Sequence, residues 1–185
     1  MIALPPRAHR LLILACSATK RQDDGYMPAI DRYDGPLWQT VRCHAGDRAI
    51  LKVTVLSARY GFLDSRSPIQ NYDSRLTTAL ADRMIAGGLA TRWPRPPSPR
   101  KPDNYGNSAA CEMASLSEHG DRPFTDVAIA GGHIYLKVMK SFLAAFRHRG
   151  YIAPDAPVTE INAPIGIMRQ QLGVWLARDA GRVDD

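Results

Sequence analysis

Thiol, hydroxyl, amine, phenol and imidazole side chains all stand directly after apolar runs in this sequence. The run at residues 11–15 leads into Cys16-Ser17-Ala18-Thr19-Lys20. The run at 53–56 leads into Ser57-Ala58-Arg59-Tyr60, and the run at 126–130 into Gly131-Gly132-His133. In open α/β sheets ligands bind outside the C-terminal ends of the strands, so these three strings are the candidate site. Gly131 and Gly132 before a helix allow close backbone approach and leave N–H groups free for an anion or a base edge; a plain tight turn reads the same way. Cys16 is either a nucleophile or a buried, inert thiol. Tyr33 and Tyr60 offer stacking faces or belong to the rim of the core. Asp73 is the candidate carboxylate, with Asp34 and Asp64 as alternatives; Asp73 could equally cap a helix beginning at Ser74.

Other chemistries are excluded by what these strings lack. Ser17 and Lys20 stand at the SxxK spacing of penicillin-binding enzymes, but the SDN and KTG strings are missing. The Gly131-Gly132 pair is not GxGxxG, and no GxxxxGK[ST] occurs, so neither a dinucleotide cofactor nor an NTPase is expected. The five histidines form no HxH or HExxH pattern, and Cys16, Cys43 and Cys111 have no ligand spacing. No metal and no cofactor are expected.

The elements that must position these residues follow from periodicity. The apolar runs at 11–15, 53–56 and 126–130 suit strands buried on both faces, with a short fourth near 158–161. Gly35-Pro36-Leu37 opens a helix with Leu37, Val41 and Ala45 on one face. A second helix is expected over 74–87, a third carries Ile134, Val138, Phe142 and Phe146, and a last runs over about 167–180. Strands alternating with helices predict an α/β fold with a mostly parallel central sheet and helices on both faces. The 185 residues suit one domain over 1–185. Residues 91–123 break the pattern and read as a Pro/Arg-rich loop or insertion.

Charge suggests the partner. The chain carries a net +6, compatible with a polyanion such as DNA or RNA. Arg92, Trp93, Arg95, Arg100 and Lys101 interleave cations with an aromatic, which suits phosphate contact and wedging between bases; a mobile linker is the bland alternative. No apolar run approaches the length of a membrane span, and the start of the chain does not read as a signal peptide. A cytoplasmic protein is expected, with no membrane and no obligate protein partner.

Four strings together carry a resemblance: Ala15-Cys16-Ser17-Ala18-Thr19-Lys20, Tyr33-x-Gly35-Pro36-Leu37, Leu56-Ser57-Ala58-Arg59-Tyr60-Gly61-Phe62-Leu63, and Tyr72-Asp73. They resemble a prokaryotic and phage family marked by CSxxK, LSAxYG and YD. That family is similar to the uracil-DNA-glycosylase-like domain of archaeosine synthase. It is also similar to the bacteriophage-replication-inhibition DNA glycosylase, which removes glucosylated hydroxymethylcytosine from phage DNA. The resemblance covers roughly residues 11–75. It implies a three-layer, uracil-DNA-glycosylase-like fold and hydrolysis of an N-glycosidic bond in double-stranded DNA, with the target base flipped out.

Such hydrolysis develops positive charge on the sugar and negative charge on the departing base. On this reading Asp73 orients water or stabilises the cationic sugar. His133, with the N–H groups of Gly132 and His133, stabilises the leaving base. Tyr60 or Tyr33 stacks on it, and Ser17 and Lys20 hold a phosphate or the base edge. Cys16, Asp34, Ser57, Arg59, Tyr72, Gly131 and Gly132 complete the expected pocket. Lys20 could also form a Schiff base, given a depressed pKa. Two alternatives stay open: a base-exchange or base-modifying enzyme acting on RNA, and a non-catalytic nucleic-acid or nucleotide-binding module.

Overall fold

The computed structural model describes residues 9–44, 50–94 and 105–178. In chain order the elements are β1 (Arg10–Ala15), β2 (Met27–Pro28), α1 (Ala29–Arg32), α2 (Pro36–His44), β3 (Leu51–Ser57), β4 (Gly61–Asp64) and β5 (Pro68–Ile69). They continue with α3 (Thr78–Gly87), β6 (Arg92–Pro94), β7 (Tyr105–Ser108), α4 (Ala109–Leu116), β8 (Asp126–Ala130), α5 (His133–His148), β9 (Val158–Ile161) and α6 (Ile165–Ala177).

Five strands form the central sheet in the order β4-β3-β1-β8-β9. β3, β1, β8 and β9 are mutually parallel; β4 returns antiparallel along β3 at the edge. The central strands are apolar on both faces because both faces are covered. Leu11 and Ile13 of β1 pack with α3, α4 and α5, among Met84, Met113, Phe142 and Phe146. Leu12 and Leu14 point the other way, into a core built by Trp38 and Val41 of α2 and by Leu172 and Trp175 of α6. The period of two along β1 thus assigns alternate residues to two cores. Full burial of each such side chain stabilises by about 1.5–3 kcal/mol. Helix α5 shows the matching 3.6 period: Leu136, Met139, Leu143 and Phe146 are buried while His133, Lys137 and Lys140 face outward.

The three expected strands and the short fourth lie in this one sheet, as periodicity predicts. Two expectations are corrected. Residues 91–123 are not one irregular loop: β6 pairs with β7, and α4 follows, with Met113 and Leu116 in the core and Ser108 Oγ accepting the Cys111 N–H. The second helix begins at Thr78 rather than Ser74, because Thr77 Oγ1 accepts the Leu80 N–H and supplies the cap. Asp73 is therefore not a helix cap. The β3 exit is a tight hairpin, and Gly61, at φ +69°, absorbs the turn into β4. Among the described residues no helix is long and apolar enough to cross a membrane.

The N-terminal ends of the strands hold a buried histidine. His9 stacks on Phe124 at 4.2 Å, and its Nδ1 lies 2.7 Å from the Arg122 carbonyl. A carbonyl only accepts, so Nδ1 carries the hydrogen and Nε2 is the bare nitrogen, buried with no partner among the described residues. Burial holds the pKa of His9 below 6.5. The folded state therefore resists a proton that the unfolded chain accepts. The contribution of neutral His9 is complete above the unfolded pKa of 6.5 and is lost as pH falls toward the folded value. Urea denaturation should show stability falling below pH 6.5 by up to about 1.4 kcal/mol per pH unit. His9→Phe should flatten that slope; an unchanged slope would show that other groups carry it.

Candidate functional site

The parallel strands in spatial order are second, first, third and fourth in the chain. The winding direction therefore reverses between β1 and β8. At such a reversal the connections leave opposite faces, and a crevice opens at the C-terminal strand ends. Cys16 and Gly131 lead out of β1 and β8 at that end.

The β1 wall is fixed by several long-range hydrogen bonds. Cys16 N–H donates to the Leu56 carbonyl at 3.0 Å, and Trp38 Nε1 donates to the Ala15 carbonyl at 3.0 Å. Ser17 Oγ accepts the Thr19 N–H at 3.1 Å in a local turn, so Ser17 and Lys20 do not share a helix start. Asp34 N–H donates to the Thr19 carbonyl, and Lys20 pairs with Tyr33 in an isolated antiparallel bridge. Gly35 leaves room for the Ser17 hydroxyl, which a Cβ at position 35 would force to turn away. Beneath the loop, the fully buried Arg32 donates to the carbonyls of Arg21, Asp23 and Gly25, each at 2.7 Å. Arg42 donates to the carbonyls of Ile30 and Tyr33 and pairs with Asp34 at 2.5 Å. Asp34 is thus committed to Arg42, and Asp64 to Arg66 at 2.6 Å.

A hydroxyl chain lines the second wall. Ser57 Oγ accepts the N–H groups of Arg59 and Tyr60, both at 3.1 Å. With its lone pairs used, Ser57 donates to Tyr72 at 2.8 Å, and Tyr72 donates to Tyr33 at 2.7 Å. Burial raises the pKa of both tyrosines above the usual phenol value, so both remain neutral. This corrects the stacking assignment: Tyr33 is 0% exposed and Tyr60 7%, so neither has a face for a base. They are core residues, set edge-on to Tyr72 at 89°. Tyr72 is half-buried, and the Lys20 ammonium lies 4.3 Å from its ring centroid. Lys20 itself is only 9% exposed. Burial lowers its pKa, partly opposed by the nearby Cys16 and Asp73. Asp73 is exposed and close enough to act on Lys20 electrostatically.

The third wall is the start of α5. A Cβ on Gly131 would lie 2.7 Å from the Ala15 Cβ, so glycine here allows the chain leaving β8 to approach the end of β1. Gly132 occupies the N-cap position without a side-chain cap, and both Gly132 and His133 are exposed. Asn162, just past β9, donates to the Gly131 carbonyl at 2.7 Å. Tyr135 places its hydroxyl 3.1 Å from Cys16 Sγ, tying α5 to β1 across the crevice; burial raises its pKa as well. Tyr135, Asn162, Trp38 and Arg32 were not singled out from the sequence. Asn162 had a signal, since it is the polar residue directly after the fourth apolar strand. Tyr135 had none beyond its place two residues after His133.

The hairpin β6–β7 stands beside the β3–β4 turn. Trp93 packs on Gly61 so closely that a Cβ there would lie 2.1 Å from its ring. Trp93 is therefore an anchor for the hairpin base rather than a free wedge. Arg92 is exposed, and its Nε donates to the Gly106 carbonyl at 2.8 Å. Arg95, Arg100 and Lys101 lie outside the described residues. A separate groove of about 550 Å³ runs along α2 and α6, lined by Thr40, His44, Arg169 and Gln170.

No family model, no curated protein and no solved structure matches the chain.

Proposed function

We propose that the chain is a DNA glycosylase with a uracil-DNA-glycosylase-like fold. It would hydrolyse the N-glycosidic bond of a modified base, such as glucosylated hydroxymethylcytosine in phage DNA, in anti-phage defence. One observation carries this reading. The strings Cys16–Lys20, Tyr33–Gly35, Ser57–Tyr60 and Tyr72-Asp73 are far apart in sequence, yet they meet around one crevice, joined by hydrogen bonds between Ser57, Tyr72 and Tyr33. The strings that carry the resemblance are thus the strings that build the site.

The roles follow from charge. Asp73, a solvated carboxylate at the rim, faces the sugar as it becomes cationic. The uncapped start of α5 at Gly132 and His133 carries the positive end of a 16-residue helix dipole, suited to the negative charge on a departing base. His133 supplies an imidazole at the same end. Tyr72 lines the same wall, with the Lys20 ammonium over its ring. Arg59, exposed at the β3–β4 turn, is the cation assigned to a phosphate on this reading.

The test is incubation with duplexes carrying normal, deaminated and hypermodified bases, with free base measured by chromatography. Release of free base supports the glycosylase. Incorporation of a labelled free base into RNA would replace it with base exchange, and binding without turnover would replace it with a non-catalytic module.

A further inference from the structure

We propose that Lys20 is an imine-forming nucleophile toward the aldehyde of a ring-opened abasic deoxyribose, making the product of base loss a second substrate of the same crevice. The origin of that aldehyde rests on the glycosylase reading; the chemistry of Lys20 rests on its own surroundings.

The backbone of Lys20 is held on two sides. It pairs with Tyr33, and its carbonyl accepts Gln22 Nε2 at 3.0 Å. Gln22 in turn accepts from Asn71 Nδ2 at 2.8 Å, which joins the Lys20 loop to the segment bearing Tyr72 and Asp73. The side chain lies across the Tyr72 ring and is nine-tenths buried. Its described partner is thus an aromatic face, not a carboxylate. Lys137 and Lys140 differ: both are exposed and ion-paired, to Asp82 at 2.8 Å and to Glu160 at 2.6 Å. An ion pair holds the proton on an ammonium; a ring face with little solvent holds it far less firmly, and burial does lower the pKa of Lys20.

The reaction balances without a further reactant. The free Nζ lone pair adds to C1′ of the aldehyde, and a proton passes from nitrogen to the new alkoxide. A proton taken up from solvent lets that hydroxyl leave as water, which leaves a C1′=Nζ iminium. The iminium acidifies the C2′ hydrogen; its removal expels the 3′-phosphate by β-elimination and cleaves the strand. Asp73, whose charge reaches Lys20, is the carboxylate available to carry these protons.

The experiment supplies the aldehyde directly, as a synthetic duplex with one preformed abasic site, and adds sodium borohydride to reduce any iminium to a stable amine. Wild-type protein should form a covalent adduct that peptide mass spectrometry places on Lys20. Lys20→Gln and Lys20→Arg should both lose it, the second despite keeping the charge. An adduct mapped to another amine, or undiminished in both variants, would overturn the proposal. Mapping on wild-type protein decides the matter even if a variant folds poorly. Because the abasic site is preformed, an adduct on Lys20 without base release from any modified duplex would sink the glycosylase reading alone. Base release without a Lys20 adduct would sink the imine alone.

Discussion

Asp73→Asn should slow base release by about 100-fold or more while leaving the melting temperature unchanged. Asn keeps the shape and removes the charge. A carboxylate facing a developing cation contributes only in the transition state, so its loss appears in the chemical step. The stability half of the expectation follows from the fold. Asp73 is exposed, and the following helix takes its cap from Thr77, so among the described residues no structural hydrogen bond depends on Asp73. Single-turnover base release and thermal melting of the same sample check both halves. Release within a few-fold of the parent would remove Asp73 from the mechanism. Asp34 would not replace it readily, because its carboxylate is held by Arg42.

Arg10→Ala should have the opposite signature, a large loss of stability with no specific loss of chemistry. Arg10 opens β1 at the end of the sheet away from the crevice and is 2% exposed. Its Nε donates to Asp126 Oδ2 at 2.9 Å, a second nitrogen donates to the Trp175 carbonyl at 2.6 Å, and the guanidinium lies 3.8 Å from the Trp175 ring centroid. One side chain thus ties β1 to β8 and α6. Removing it leaves the Asp126 carboxylate, itself largely buried, short of its cation. Breaking such a pair from one side costs about 3–5 kcal/mol. For a chain of this length that lowers the melting temperature by roughly 10 °C. Arg10→Lys should recover only part, since an ammonium cannot serve the carboxylate, the carbonyl and the ring at once. Urea denaturation measures the loss; a cost under about 1 kcal/mol would show that Arg10 is replaceable. Base release per folded molecule should be unaffected, because Arg10 lies at the N-terminal end of its strand.

The contrast between these two residues shows what the sequence makes legible. Residues 11–15 are apolar without a break, and 53–56 and 126–130 are interrupted only by Thr54 and the opening Asp126, a pattern that suits strands covered on both faces, so the sheet was readable. The polar residues that directly follow the strands were readable too, and they are what marks the strand ends as the candidate site. The edge strand β4 was harder: Gly61-Phe62-Leu63 is short and looks like the end of the preceding run. Helix α4 was obscured by the proline-rich stretch before it, although Ser108 as cap and Met113 with Leu116 at helical spacing carry a signal. Aromatic type alone does not separate a stacking face from a core residue, so Tyr33 and Tyr60 were assigned faces that packing has covered. Buried cations such as Arg10 and Arg32 give no local sign at all, because their partners are carbonyls and a carboxylate supplied by the fold. The same holds for the contact of Cys16 with Tyr135 across 119 positions.

The most direct test of the account is a scan for alkali-labile sites in duplex DNA bearing glucosylated hydroxymethylcytosine, beside the same sequence with ordinary cytosine. The wild-type protein should produce such sites, with free modified base in equal amount, only in the modified duplex, and Asp73→Asn should produce them far more slowly. Modified, deaminated and ordinary duplexes that all stay intact under a folded, DNA-binding protein would contradict the account.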